Sequence, residues 1–499
     1  MHRSLSVAFS SLSHTLRCRV VPAMLFGALA AGPAAADGWP VAHGNPANTS
    51  YQNVVTAPAT APLRVVEGLG TFADGLSPIV SKEGNVFLGT QEGKVIALRA
   101  DGTRWWEHPL EPGWVVRSTP AVNSRGELFV LASRVMKDHR GEMEVTRIES
   151  RLLGFADGGA LLFQASVPLR GRGGVATAPL NLVRGPANEE FIVFPLRYAS
   201  EDGYFHEVRL MAFSRFGVVE GDVRVGSLVG SIGNDPWWGV DFQINFDRDP
   251  AELPPFQPPL LGAAVPHGSG LDSSIVVVND GMGSVARYRF GGRFAGGFTE
   301  IERWKQGDRD PAVSAPVVAL NGAVLFDRPN DVLILQTDGT DQRRKISHYT
   351  DATPAVLPSG RIITNRLDEA GGAAGPAQAG GLVSPTASRN YLYSTTEGYL
   401  QTYRVEDLAL VENYAWQHGG RWQPAIGPLG HVYALTYNKL HIFPPNPSVA
   451  TGTNIAPGGV AGATTEPGSA GAGAPVMPQP GTFTFNPAIL NQPGVTPQP

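Results

Sequence analysis

One cysteine, Cys18, stands in 499 residues. A disulfide framework, a Cys-rich zinc module and a covalently attached c-type haem are thereby excluded, since each needs at least a pair. Charge is sparse too, at 17% of residues with a formal net charge of −5. No basic run is longer than Arg343-Arg344-Lys345, so the positive footprint that a phosphate backbone demands is missing and nucleic acid is not an expected partner. Helical apolar periodicity is nearly absent. Beyond residue 36 no apolar run reaches the length needed to cross a bilayer. Turn-formers are abundant instead, with 60 Gly and 42 Pro, while 42% hydrophobic residues suffice for a sizeable core.

Residues 1–36 carry Arg3, Arg17 and Arg19 and no acid, then an apolar stretch from Val20 to Ala31, then Ala34-Ala35-Ala36 before Asp37. A charged start, a greasy middle and small residues at a cut site are the marks of a secretory signal. Pro22 and Pro33 and the short apolar length argue against a membrane anchor. Cleavage before Asp37 would discard Cys18, leave a mature chain without cysteine and make it more acidic by three charges. The product is expected in the periplasm or outside the cell.

The chain repeats itself. The clearest unit runs from Ser77 to Trp106: Ser77-Pro78-Ile79-Val80, a turn at Glu83-Gly84, Asn85-Val86-Phe87-Leu88-Gly89-Thr90, a turn at Glu92-Gly93, Lys94-Val95-Ile96-Ala97-Leu98, and Asp101-Gly102 before Trp105-Trp106. Its opening Ser/Thr-Pro or Ser/Thr-x-Pro step returns at Pro120, Pro179, Pro316, Pro354 and Pro385, with looser copies at Pro259 and Pro424. From Pro78 to Pro424 the mean step is close to the roughly 40–50 residues of a propeller blade. A small sheet of this kind buries neither face alone, so several must pack around an axis. The eight anchors favour an all-β propeller of eight four-stranded blades; seven is the alternative, because the unit at Pro354 dissolves after Arg361-Ile362-Ile363-Thr364 into Gly and Ala and reads either as a degenerate blade or as part of its neighbour. The last unit, ending at Leu440-His441-Ile442-Phe443, is one strand short. Pro62-Leu63-Arg64-Val65-Val66 is expected to complete it and clasp the ring. The expected domains are a signal over residues 1–36, the propeller over 37–443, and a disordered Pro/Gly-rich tail over 444–499, whose composition does not repay its ordering entropy.

Gly93-Lys94-Val95-Ile96-Ala97-Leu98 with Asp101-Gly102 and Trp106 resembles the repeat of the pyrroloquinoline-quinone-like propellers, the quinoprotein alcohol dehydrogenase-like family. Trp39-Pro40-Val41-Ala42-His43-Gly44 with Asn48-Thr49 is similar to the start of many such chains. The resemblance spans Trp39 to Phe443 and implies a tryptophan docked between neighbouring blades. It implies two functional classes: quinone-dependent dehydrogenases, with quinone and calcium in an axial funnel, and exported scaffolds that bind polypeptides and catalyse nothing. Family dehydrogenases commonly hold the quinone against a ring of adjacent cysteines, which the mature chain lacks.

Few residues announce chemistry. Gly281-Met282-Gly283-Ser284-Val285-Ala286 fits G-x-G-x-x-A, but the alternating Val285 to Phe290 that follows reads as a strand and not the helix a pyrophosphate site requires. His267-Gly268-Ser269-Gly270 lacks the spacing of a nucleophile elbow. His43, His108, His139, His206, His267, His348, His418, His431 and His441 form no pair at metal-ligand spacing. The stretch Ile232 to Leu253 is the exception, lying in the longest interval between anchors. Its Trp237, Trp238 and Asp241 are the candidate residues for a ligand or a partner, by stacking or by oxygen coordination of a hard cation. The resulting expectation is an exported, non-catalytic binding or assembly module for a protein or cell-envelope partner, without a cofactor. The alternative is a quinone-dependent dehydrogenase with calcium.

Overall fold

The computed structural model describes residues 38–447 apart from 74, 141–142, 176–177, 200–204, 230–261, 268–270, 281–283, 306–313, 328–330, 338–340, 346–352, 364–383, 397 and 418–421. Strands and turns make up this region, with a single 3-10 turn at Arg293–Ala295.

In the unit at Pro78, Ile79–Val80, Val86–Gly89, Lys94–Leu98 and Arg104–Pro109 form one antiparallel sheet in chain order. Apart from Lys94 at the start of the second, the middle two strands are apolar and buried, because both of their faces meet a neighbouring sheet. The outer strand carries the charge. Four-stranded sheets of the same order follow Gly262, Pro316 and Pro385, and the Pro354 unit contributes Ala355–Val356 paired with Ile362–Ile363. Buried apolar clusters alternate with the sheets around the ring. One joins the Pro120 and Pro179 blades through Phe129, Leu152, Ile192 and Phe213. The next joins Val193 and Leu210 to Val276 and Tyr288, and another joins Ala264 and Val277 to Val324 and Leu333. Val332 and Ile334 then meet Val356, and Ala355 and Ile363 meet Leu392 and Tyr403. The largest cluster closes the circle through Tyr393, Tyr433, Phe87 and Val130. The fold is a β-propeller.

Closure follows the reading of the sequence. Arg64–Val66 pairs antiparallel with Leu440–Phe443, Arg64 opposite Ile442 and Val66 opposite Leu440, so among the described residues the first strand completes the last sheet. Trp106 does dock between blades: its ring stacks on Phe155 of the next sheet at 5.7 Å, and its Nε1 donates to the Asp157 carbonyl at 3.2 Å. Gly281 and Gly283 lie outside the described residues; on either side of them Ile275–Asn279 and Ser284–Gly292 are strands that pair antiparallel, and Ser284–Gly292 is not a helix.

One anchor needs correction. The unit assigned to Pro259 opens with the strand Ala263–Ala264, and Gly262 takes the place that proline holds elsewhere. The Gly262 N–H donates to Asn279 Oδ1 at 2.9 Å, a bond that proline, lacking the hydrogen, cannot make. Pro259 itself lies outside the described residues.

The Pro120 and Pro179 blades depart from the common pattern. The middle strands of the Pro120 blade, Leu128–Arg140 and Met143–Phe155, are 13 residues each and those of the Pro179 blade, Glu190–Ala199 and Phe205–Phe213, are ten and nine, against four and five in the Pro78 blade. Gly173–Val175 bridges them, Gly173 facing Ile148 on one side and Ala199 on the other, so that two blades merge into one ten-stranded sheet. Gly173, at φ 94°, is required there: a Cβ would overlap the Ile148 carbonyl oxygen. Antiparallel order puts the far ends of these long hairpins on the ring face where each outer strand crosses to the next blade. The chain leaves the described region at Val229, the end of such an outer strand, on that same face.

Candidate functional site

Trp237, Trp238 and Asp241 lie outside the described residues, 230–261. Two other places concentrate polar groups: the axis of the ring and the seam between the Pro78 and Pro120 blades.

The axis is occupied by the chain's own residues 39–52. With two prolines and turn-forming Asn and Gly, this stretch has no strand periodicity, and its backbone groups must therefore find partners elsewhere. They find them on the inner strands, blade after blade, in chain order. Trp39 exchanges two hydrogen bonds with Val80 at 2.7 and 2.9 Å. The carbonyl oxygens of Pro40, Pro46, Ala47, Thr49 and Ser50 accept from the N–H groups of Val122, Val265, Val318, Val356 and Ala387 at 2.6 to 2.9 Å. In the Pro179 blade, where Asn181 opens the inner strand, its Nδ2 reaches the Pro46 carbonyl at 2.9 Å, and Gln423 beside Pro424 donates to Ser50 Oγ at 3.0 Å. The Pro354 pair holds its own place in this sequence of contacts, between Val318 and Ala387.

The Ser/Thr of the anchors has a physical role in the same ring. Ser118 Oγ donates to Ala178 O at 2.5 Å and Ser77 Oγ to Gln423 O at 3.3 Å, and Thr386, which follows its anchor proline, does the same from Oγ1 to Pro424 O at 2.7 Å. Each hydroxyl ties one blade to the next where proline has removed an N–H.

Threading the axis forces unusual backbone. His43, Asn48 and Ser50 take φ of 59°, 58° and 52°, a region that disfavours a Cβ and is tolerated best by Asn. Asn48, 2% exposed, turns this into a clamp: its Nδ2 donates to Ala263 O at 3.0 Å and Pro316 O at 2.9 Å on adjacent blades. His43 is half-buried as a residue, and desolvation of its imidazole lowers the pKa to about 4 against the opposing influence of Gln423, so the imidazole is neutral at pH 7. Trp39 Nε1, His43 Nδ1, Gln52 Nε2 and Gln423 Oε1 are buried polar atoms without a hydrogen-bond partner among the described residues. This interior is neutral and amide-rich. Among the described residues no group of three or more His, Cys, Asp or Glu converges on a common point.

The seam holds a cavity of about 60 Å³ lined by His108, Glu111 and Trp114 of the first unit and Arg151, Leu153 and Gln164 of the second. Trp114 sits on the connection that follows the outer strand Arg104–Pro109, and is only 4% exposed. The Arg151 and Arg134 guanidinium carbons lie over its ring at 4.4 and 4.9 Å, cation–π contacts that hold both planes in place. Arg134 is neutralised by Glu149 at 2.9 Å. Arg151 donates from Nη1 to Gln164 Oε1 at 2.8 Å, and Glu111, whose side chain is 60% exposed, reaches the same nitrogen only at 3.6 Å. None of these residues stood out in the sequence. They come from two different repeats, and only the ring brings them together.

No family model matches the chain, and no curated protein matches it. Solved structures similar to it include a streptogramin B lyase, 13% identical over 77% of this chain and 98% of that one, at a TM-score of 0.40. The WD40 β-propeller domain of Doa1 is 10% identical over 78% and 98%, at 0.42. BamB from Moraxella catarrhalis is 12% identical over 79% and 96%, at 0.34. Identities and scores this low leave the fold resting on the sheets themselves and say nothing of activity.

Proposed function

We propose that this chain is an exported, non-catalytic β-propeller that binds a protein or cell-envelope partner, with the elaborated Pro120 and Pro179 blades as its working side. The observation that carries this reading is the division of labour in the ring. Residues 39–52 fill the middle and are bonded to the inner strands all round it, and what lines them is neutral. A planar, multiply charged quinone with a divalent ion would need charged groups and room on that axis, so the described axis does not fit one. Surplus structure is spent instead on long hairpins that rise from two merged blades. A rigid scaffold carrying extended loops on one face is what a binding surface requires. Export rests on the signal-like residues 1–36.

The test uses the full chain expressed in a bacterium with an outer membrane. The mass of the product in the periplasmic fraction is expected to correspond to a chain beginning at Asp37. A photo-crosslinking residue placed at Met136 on the long hairpin is expected to give a discrete adduct in those cells. The same residue at Leu320, exposed on the turn between Val317–Val318 and Val324–Asp327 and hence on the opposite face, is expected to give none. Equal labelling from both positions, or dye-linked alcohol oxidation after addition of quinone and calcium, would overturn the reading.

A further inference from the structure

We propose that the cavity between the Pro78 and Pro120 blades is a carboxylate-binding site, with the Arg151 guanidinium as its anchor. Three observations carry this. The anchor is held before any ligand arrives: its plane lies over Trp114 at 4.4 Å, and its Nη1 is fixed by Gln164 at 2.8 Å. Among the described residues only that nitrogen is engaged, which leaves Nε and Nη2, the edge that takes a carboxylate through two parallel bonds. Second, Trp114 Nε1, on a side chain that lines the same cavity, is a buried donor with no acceptor among the described residues. A buried N–H without a partner costs about 1–3 kcal/mol, and a shift of the indole toward the cavity on binding would let a ligand oxygen recover it. Third, the chain already brings a carboxylate to this guanidinium. Glu111 stands at 3.6 Å on a mostly exposed side chain, too far for a good hydrogen bond, and a better-placed acid can displace it.

The charge balance agrees. Arg134 has Glu149 as a close partner, whereas Arg151 has only the loose Glu111. An incoming anion therefore meets an incompletely neutralised cation beside a desolvated aromatic wall. A cavity of about 60 Å³ admits the end of an acidic side chain or a chain terminus and not a large ring system. The assignment deepens the proposed binding function by naming the chemistry that the partner presents, an acidic group on a polypeptide.

The test is fluorine NMR of the full chain labelled with 5-fluorotryptophan, the Trp114 resonance being assigned by Trp114→Phe. Acetate is expected to shift that resonance saturably and acetamide is not. Arg151→Gln is expected to abolish the shift. Glu111→Gln, which removes the internal competitor and leaves the anchor intact, is expected to tighten acetate by about two- to fivefold, the worth of an exposed ion pair. A capped hexapeptide of glutamates is expected to bind at least tenfold more tightly than acetate. Absence of a saturable shift, an equal response to acetamide, or unchanged affinity in Glu111→Gln would overturn the site. Equal affinity for acetate and peptide would overturn the polypeptide as its source. None of these outcomes depends on the crosslinking result, so the site and the binding function fail separately.

Discussion

The axis and the hairpin wall solve the same problem, satisfying polar groups, in opposite ways. On the axis the partners are backbone carbonyls and neutral amides, spaced one blade at a time along residues 39–52. On the wall they are charges: Arg134 with Glu149, and Arg209 with Glu207 and Asp222, the latter also held by Arg170 at 2.7 Å. Water explains the difference. A buried ion pair must recover its desolvation cost, and a neutral hydrogen bond has far less to recover. The wall is half in solvent and can carry charge at little cost. Damage to the axis should therefore be expensive and spread around the ring, and damage to the wall cheap and local.

Asn48→Ala is the sharpest way to test this. It removes both clamps onto Ala263 and Pro316, takes from the buried Pro316 carbonyl its Asn48 donor while the Ala263 carbonyl keeps Asn181 Nδ2 at 2.8 Å, and puts alanine at a φ of 58°. A loss of about 3–5 kcal/mol is expected from those terms together, read as a lower denaturant midpoint. Loss confined to one blade in hydrogen exchange, with an unchanged midpoint, would show that the axis does not couple the ring.

His43 gives the next largest effect, through pH. Its pKa is about 4 when folded and near 6.5 when unfolded. The unfolded state thus takes up a proton first as pH falls, so the stabilisation is complete above about pH 6.5 and declines toward pH 4. The loss across that window is about 3 kcal/mol. His43→Asn, which tolerates the positive φ, should lower stability at pH 7 and reduce the slope between pH 6.5 and 4 without abolishing it, since burial also lowers His441 to about 4. An unchanged slope would assign the whole dependence to other groups.

These axial contacts mark the limit of what could be read without coordinates. The repeat unit was legible because Gly84, Gly93 and Gly102 punctuate short strands at fixed places, and the clasp was legible because the last unit lacked a strand that Pro62 to Val66 could supply. The ring positions of Pro78, Pro120 and Pro316 followed from the same punctuation. Residues 39–52 escaped, because a segment whose partners are supplied one per blade has no periodicity of its own. Gly262 hid for a similar reason, since the chain there trades proline for an N–H that Asn279 can accept. The seam cavity was invisible, as Trp114 and Arg151 meet only across a blade boundary. Trp237, Trp238 and Asp241 lie outside the described residues.

On the wall, Gly173→Ala should cost about 1–3 kcal/mol, because a Cβ both strains a φ of 94° and displaces Ile148. The expected signature is local. Amides of Ile148 and of Arg197 to Ala199, which face the bridging strand, lose exchange protection, while those of the Pro385 blade do not. If protection falls evenly around the ring, the merged sheet is as central to the fold as the axis, and the contrast between the two regions fails.

The smallest effect belongs to Glu127, which joins the two elaborated blades by pairing with Arg215 across their boundary and by accepting from Asn123 at 2.7 Å. Burial pushes this carboxyl up, but Arg215 and Asn123 together outweigh it and hold the pKa below its ordinary value. A lowered folded pKa means that the contribution is present above the ordinary carboxylate range and is lost as pH falls through it. Arg215 is 31% exposed at its side chain, so screening keeps the pair to about 0.2–1 kcal/mol. Glu127→Gln should therefore shift the midpoint slightly at pH 7 and not at pH 3, where the carboxyl of the unaltered chain is itself being protonated. An equal loss at both values would mean that the side chain acts through packing and its bond to Asn123, and that charge contributes nothing to joining these blades.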